Sequence, residues 1–249
     1  MYKNKTVSVI LPTYNEKDSI RKVIEDFLCL IDVDDNPLVD EVIVINNNAI
    51  KGTSEEVQKT KAIEFFEPKQ GYGSAIQRGF KEAKGDLLVI CEPDNTFLAS
   101  DIYKLLAFSF DVDIVYGSRT IKSFIWEGAN MGFFLRFGNW AVAKMIEVLF
   151  NTNSLSDVGC TFRLIKKEAL ERMCGHFDVL SNFFGPEMMV LGYQMKIPCV
   201  QIPVNYRERI GKSSVTGDIG KAIKLGIQMI ILILAMKFHI KKYVLNFLQ

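Results

Sequence analysis

Cysteine and histidine are too sparse here to build a thiolate or imidazole site. The five cysteines (29, 91, 160, 174 and 199) are scattered, odd in number and without a C-x-x-C pair. That argues against a disulfide framework and a zinc site, and for a reducing compartment. His176 and His239 are the only histidines, and neither lies in a motif. Net charge is only +1, which gives no electrostatic case for a nucleic-acid partner. No apolar run reaches the roughly 20 residues of a membrane-spanning helix; the nearest approach, 225–236, is interrupted by Gln228. The first residues lack the layout of a secretory leader, since their short apolar run ends at Pro12. Acidic residues are missing from Ile219 to the C-terminus, where Lys221, Lys224, Lys237, Lys241 and Lys242 stand.

What is present alternates. "VSVILP" (7–12), "EVIVI" (41–45), "LLVIC" (87–91) and "DIVYG" (113–117) are short apolar runs without strict polar alternation, with a weaker one at 62–66. Strands covered on both faces look like this. Helical spacing separates them: Ile20, Val23, Ile24, Phe27 and Leu28, with Asn15 or Asp18 as N-cap; Ala75, Gly79, Phe80 and Ala83; and Ile102, Leu105, Leu106 and Phe108. The pattern predicts an α/β fold with a mostly parallel sheet flanked by helices, whose ligands bind at the carboxyl ends of the strands. Further on, 131–150 reads as a long helix with an aromatic face of Phe133, Phe134, Phe137 and Trp140, followed by a short helix after Pro186 and a strand around 197–206.

Glu92 and Asp94, in "EPDN", end the third clear strand. Two carboxylates one residue apart can converge on a hard divalent cation, although the same four residues also make a good solvated turn. Gly71 and Gly73 let a backbone approach a ligand closely just before a helix with free N–H groups, but the spacing fits neither a dinucleotide fingerprint nor a P-loop. "PTYNE" (12–16) suits either a ribose or base contact or a simple helix cap.

Taken in order, "VSVILPTYNE", "GYGSAIQRGFKEAKGD", "EPDN" and "YGSR" resemble family-2 glycosyltransferases of the GT-A, Rossmann-like fold. "DVGCTFRLIKKEAL", "FGPEM" and "IPVNYRERIGKSS" are similar to the dolichyl- or polyprenyl-phosphate sugar synthases within that family, and the likeness covers roughly 6–216. The resemblance implies that Pro12, Tyr14 and Glu16 line a nucleotide pocket, with Gly71, Gly73 and Arg78 also on the donor side. It implies that Glu92 and Asp94 hold Mg²⁺ or Mn²⁺ against the donor diphosphate. Arg119, Arg136, Arg207, Arg209 and Ser213 would face donor or acceptor phosphates, with Asp94, Arg119, Arg209 and Glu187 in the catalytic set. Two departures stand out: Asn46 and Asn47 replace the family's aspartates after the second strand, and Glu92 replaces the first aspartate of its D-x-D. An amide both donates and accepts, so base preference is open to change.

The implied reaction is inverting transfer from a nucleotide sugar to a polyprenyl phosphate, whose second pKa of about 6 leaves the nucleophile ionised without a base. Transfer to a saccharide hydroxyl is the alternative, and would need Glu187 or Asp157 as base. A nucleotide-sugar-binding protein without turnover is the third reading. The expected division is a catalytic domain at 1–218 and a C-terminal helical segment at 219–249. That apolar, lysine-flanked segment is expected to lie on the inner face of the cell membrane, or else to build a homo-oligomer interface.

Overall fold

The computed structural model describes residues 2–211 and 219–245. Seven strands form a single sheet: β1 (Val7–Thr13), β2 (Glu41–Asn46), β3 (Ile63–Phe66), β4 (Leu87–Ile90), β5 (Ile114–Ser118), β6 (Arg163–Lys166) and β7 (Cys199–Pro203), in the order β3-β2-β1-β4-β6-β5-β7. All neighbours are parallel except at β6, which runs antiparallel to both β4 and β5. The predicted mostly parallel sheet is therefore present. Sequence reading missed β6, a four-residue strand with basic residues at both ends.

The unbroken apolar runs have a simple cause: both faces are covered. On one face Ile10, Ile43, Ile45, Leu88, Ile90, Ile114 and Tyr116 are buried in one cluster. It is covered by α3 (Tyr72–Glu82), α5 (Phe133–Phe150), α6 (Lys167–Met173), α7 (Phe184–Gln194) and α8 (Ile219–Lys237). On the other face Val7, Val9, Leu11, Val42, Val44 and Val89 pack with α1 (Lys17–Leu28), α2 (Thr53–Val57) and α4 (Ile102–Phe108). The C-terminal helix α8 is built into this body, because Leu232, Ile233 and Met236 are buried in the first cluster.

Two local expectations are corrected. Neither Asn15 nor Asp18 caps α1; Glu16 occupies the cap position, and no side chain bonds the helix N-terminus there. The helix around Pro186 begins before it, at Phe184, so the proline sits in the first turn, where its missing N–H costs nothing.

Gly79 lies on the face of α3 that presses on β1, and a Cβ there would collide with Cγ2 of Ile10. Gly→Ala inside a helix ordinarily stabilises by about 1 kcal/mol. At this position the sign reverses: Gly79→Ala should destabilise by about 1–3 kcal/mol, read as a lower midpoint in urea with an unchanged slope.

Candidate active site

At the tip of β4, Cys91 makes a last backbone bond to Ile10 O (3.1 Å), and Pro93 then turns the chain. Several bonds hold the loop that follows. Ser19 Oγ donates to Pro93 O (2.6 Å), and Asp94 Oδ1 accepts from the Thr96 N–H (2.9 Å) and Thr96 Oγ1 (2.6 Å). The returning segment after β7 runs alongside, with Ile210 N–H donating to Asp94 O (3.0 Å) and Arg207 N–H to Thr96 O (2.9 Å). Asp94 is fully buried, and its Oδ2 receives no hydrogen bond among the described residues. Nη2 of Arg209 lies 2.5 Å from that oxygen as an ion pair, and 3.2 Å from Glu92 Oε2. Burial first, and repulsion from Asp94 second, push Glu92 up to about 8, against the pull of Arg209 and Arg119. One guanidinium thus bridges both carboxylates and offsets one of their two charges. Among the described residues no group of three or more histidines, cysteines or carboxylates is arranged to hold a metal.

Beyond β5, Arg119 donates to Asp157 three times, from its N–H (2.9 Å), Nε (2.9 Å) and Nη2 (3.0 Å). Burial opposes the charge on Asp157, but Arg119 and the Gly159 N–H hold its carboxyl below the usual range. Asp157 is therefore corrected as a base: it is fully buried, spoken for and weakly basic. The Arg119 guanidinium lies 5.4 Å from the centre of the Tyr206 ring. Burial raises the Tyr206 phenol, and Arg119, Asp94 and Glu92 all act on it, which puts the two charge clusters side by side.

Glu187 is corrected too. It is fully buried, faces the backbone N–H groups of Asp178 (3.0 Å) and Val179 (3.1 Å), and pairs with Lys241 (2.9 Å). An acceptor hydroxyl has no access to it. Arg207 is likewise spent on structure, since its guanidinium donates to Asn95 O, Asn95 Oδ1 and Phe97 O and so shapes the acidic loop. Arg78 pairs with Glu82 within α3 (2.8 Å). Ser213 lies outside the described residues.

The close approach allowed by Gly71 and Gly73 is made to protein. A Cβ at Gly71 would strike Leu180 O, one at Gly73 would strike Val179 O, and Gly71 has φ +141. Tyr72, between them, has its phenol raised by burial first and by Glu92 second. Asn47 clamps the same turn: Nδ2 donates to Glu67 O and Lys69 O, while Oδ1 accepts from the Gly71 N–H (2.8 Å) and Gln70 Nε2. Asn46 donates to Ser54 Oγ and Glu64 Oε1 and accepts the Ala49 N–H. Both amides are committed within the chain. At the end of β1, Pro12 is paired with Ile45 in the sheet, Tyr14 is half exposed, and Glu16 folds the turn by accepting the N–H groups of Tyr14 (2.7 Å) and Asn15 (2.8 Å).

Arg136, in the first turn of α5, lines an open pocket of about 330 Å³ with Thr120, Ile121, Phe133, Phe137, Trp140 and Ser156. Thr120 and Ser156 adjoin Arg119 and Asp157 in sequence, and Ser118 Oγ bonds Ser156 Oγ (2.7 Å). Sequence reading missed Arg163, whose only signal was a basic residue in "TFRLIK". It is buried at the start of β6 and donates to the carbonyls of Cys160, Val158 and Gly185.

The sequence model for Glycosyl transferase family 2 matches residues 8–174. The chain belongs to glycosyltransferase family 2. Among curated relatives it is 25% identical over 244 residues to dolichyl-phosphate beta-glucosyltransferase ALG5D of Trichomonas vaginalis, covering 88% of this chain and 71% of that one. It is 26% identical over 212 residues to the low-salt glycan biosynthesis hexosyltransferase Agl6 of Haloferax volcanii (84% and 49% covered). With dolichol-phosphate mannosyltransferase of Pyrococcus furiosus it shares 36% over 123 residues (47% and 34% covered). The fold matches glucosyl-3-phosphoglycerate synthase from Mycobacterium tuberculosis, crystallised with Mn²⁺ and UDP-glucose, at TM-score 0.69 and 17% identity over 94% of this chain and 79% of that one.

Two expectations follow for this glycosyltransferase. Asp157→Asn should cost about 3–5 kcal/mol in urea unfolding, because it strands the largely buried Arg119. The wild-type pair contributes fully above the ordinary carboxylate pKa of about 4, and its contribution is lost as pH falls through the lowered Asp157 value, so the variant should lack that part of the acid limb. Asn47→Asp removes donors to Glu67 O and Lys69 O and should cost about 1–3 kcal/mol by the same measurement.

Proposed function

We propose that this enzyme transfers a sugar, with inversion, from a nucleotide sugar to a polyprenyl phosphate, with Mg²⁺ or Mn²⁺ held by Glu92 and Asp94. The pocket lined by Arg136 carries the reading. Its lining combines Arg136, Thr120 and Ser156 with the apolar Ile121, Phe133, Phe137 and Trp140. A phosphate attached to an apolar chain has that same division. The curated relatives named for dolichyl phosphate support it.

The carboxylate pair fits a divalent ion chemically. Asp94 Oδ2 already faces a cation, and two carboxylates leave positions for donor diphosphate oxygens, as Mg²⁺ sites commonly do. When bound, such an ion supplies Lewis-acid stabilisation of the departing diphosphate. Arg209, between the carboxylates, stands ready to share that charge. A phosphate acceptor is mostly ionised near neutrality, so no residue needs to remove a proton. This agrees with the engagement of Glu187 and Asp157 elsewhere. Arg119 and Arg136 offset the repulsion between two phosphorylated substrates.

Membrane contact belongs to the same reading. Among the described residues no helix is long and apolar enough to cross a membrane. Phe133, Phe134, Phe137 and Trp140 on α5 are exposed, as are Ile223, Ile227 and Leu234 on α8. With Lys224 and Lys237 on α8, these faces suit the surface of an anionic bilayer.

The test is nucleoside-diphosphate release from a panel of nucleotide sugars with Mg²⁺ or Mn²⁺, with and without polyprenyl phosphate. Release should depend on the lipid phosphate, and Glu92→Gln or Asp94→Asn should slow it roughly a hundredfold or more. Arg136→Ala should raise the KM for lipid phosphate about ten- to a hundredfold, the worth of a charged hydrogen bond. Release that occurs only with saccharide acceptors would overturn the proposed acceptor.

A further inference from the structure

We propose that Glu187 is a positioning residue for the glycine turn at 70–73, and that Lys241 makes the seating of the C-terminal helix a condition of that position. This rests on the reading of the turn as part of the donor site. Glu187 sits in the first turn of α7, and its carboxylate holds the N–H groups of Asp178 and Val179. The next two carbonyls then hold α3: Val179 O accepts from Gln77 Nε2 (3.3 Å), and Leu180 O from the Ser74 N–H (3.1 Å). These are the carbonyls that leave room only for glycine at 71 and 73. Asn47 grips the turn from the other side through the Gly71 N–H. The turn therefore has two anchors, and Glu187 sets one of them.

A fully buried carboxylate requires a cation, and here it arrives from a distant part of the chain. Lys241 lies just past α8. Its Nζ is 2.9 Å from Glu187 Oε1, 2.6 Å from Asp178 Oδ2 and 2.9 Å from His176 O. Lys241 can reach this point only while Leu232, Ile233 and Met236 keep α8 seated on the sheet. Bonds thus run from Lys241, just past α8, through Glu187 and the 178–180 segment to the glycine turn, while Ile223, Ile227 and Leu234 of α8 stay exposed.

Lys241→Met in the full chain tests this. Hydrogen exchange at the Ser74 and Val179 amides should quicken at least about tenfold, as expected for loss of a charged hydrogen bond, while β1 and β4 amides stay protected. UDP or GDP binding with Mg²⁺ should weaken, and the donor KM should rise with kcat nearly unchanged. Lys241→Arg should restore both, and Lys242→Met should alter neither. Wild-type exchange at Ser74, or faster exchange spread evenly over the sheet, would overturn the tether. Faster exchange at Ser74 with unaltered nucleotide binding would leave the tether standing but remove the turn from the donor site, and so refute the proposal at that separate step.

Discussion

Two carboxylates at the tip of a buried strand repel each other, and the segment after β7 is arranged to answer that repulsion. Arg209 supplies the charge, but only because the chain from Tyr206 to Ile210 runs back along the acidic loop and bonds to it at Asp94 and Thr96. The same return brings Arg207 onto Asn95 and Phe97, and the Tyr206 ring against Arg119. Arg119, largely removed from solvent, needs a counter-ion of its own, which is Asp157. The two charge clusters thus meet across Tyr206, and Ser156, next to Asp157 in sequence, lines the Arg136 pocket.

The parts of this arrangement that were legible in the sequence are those with an unambiguous period. β1, β2, β4 and β5 announce themselves as apolar runs because both sheet faces are covered. Glu92 and Asp94 stand out because charge follows such a run abruptly. β6 does not, since its two end residues are basic and Arg163 is buried by bonding three carbonyls, a solution visible only in three dimensions. Glu187 misled for a related reason. An acid early in a helix reads equally as a catalyst or as a brace, and only the position of Lys241, 54 residues on, separates the two.

The asparagines after β2 show why a departure from a family pattern need not alter a binding preference directly. Asn47 makes two donor bonds to carbonyls and accepts two N–H bonds. A carboxylate can accept but cannot donate, so aspartate could serve only half of these contacts. The amide is thus explained by the loop it closes, without reference to a base. In the proposed reading, specificity for the base would fall to groups still facing solvent near the end of β1, of which Tyr14 is one.

In the proposed reading, Arg209 also constrains the order of events at the carboxylate pair. With the guanidinium in place, Glu92 and Asp94 together with Arg209 carry one formal negative charge rather than two. A divalent cation entering alone would meet that reduced negative charge and the repulsion of Arg209. A nucleoside diphosphate brings the missing negative charge. Arg209 would then exchange carboxylate oxygens for phosphate oxygens. In that reading the two carboxylates would favour a cation that arrives with its diphosphate over a bare ion, and the paired arginine would make that distinction.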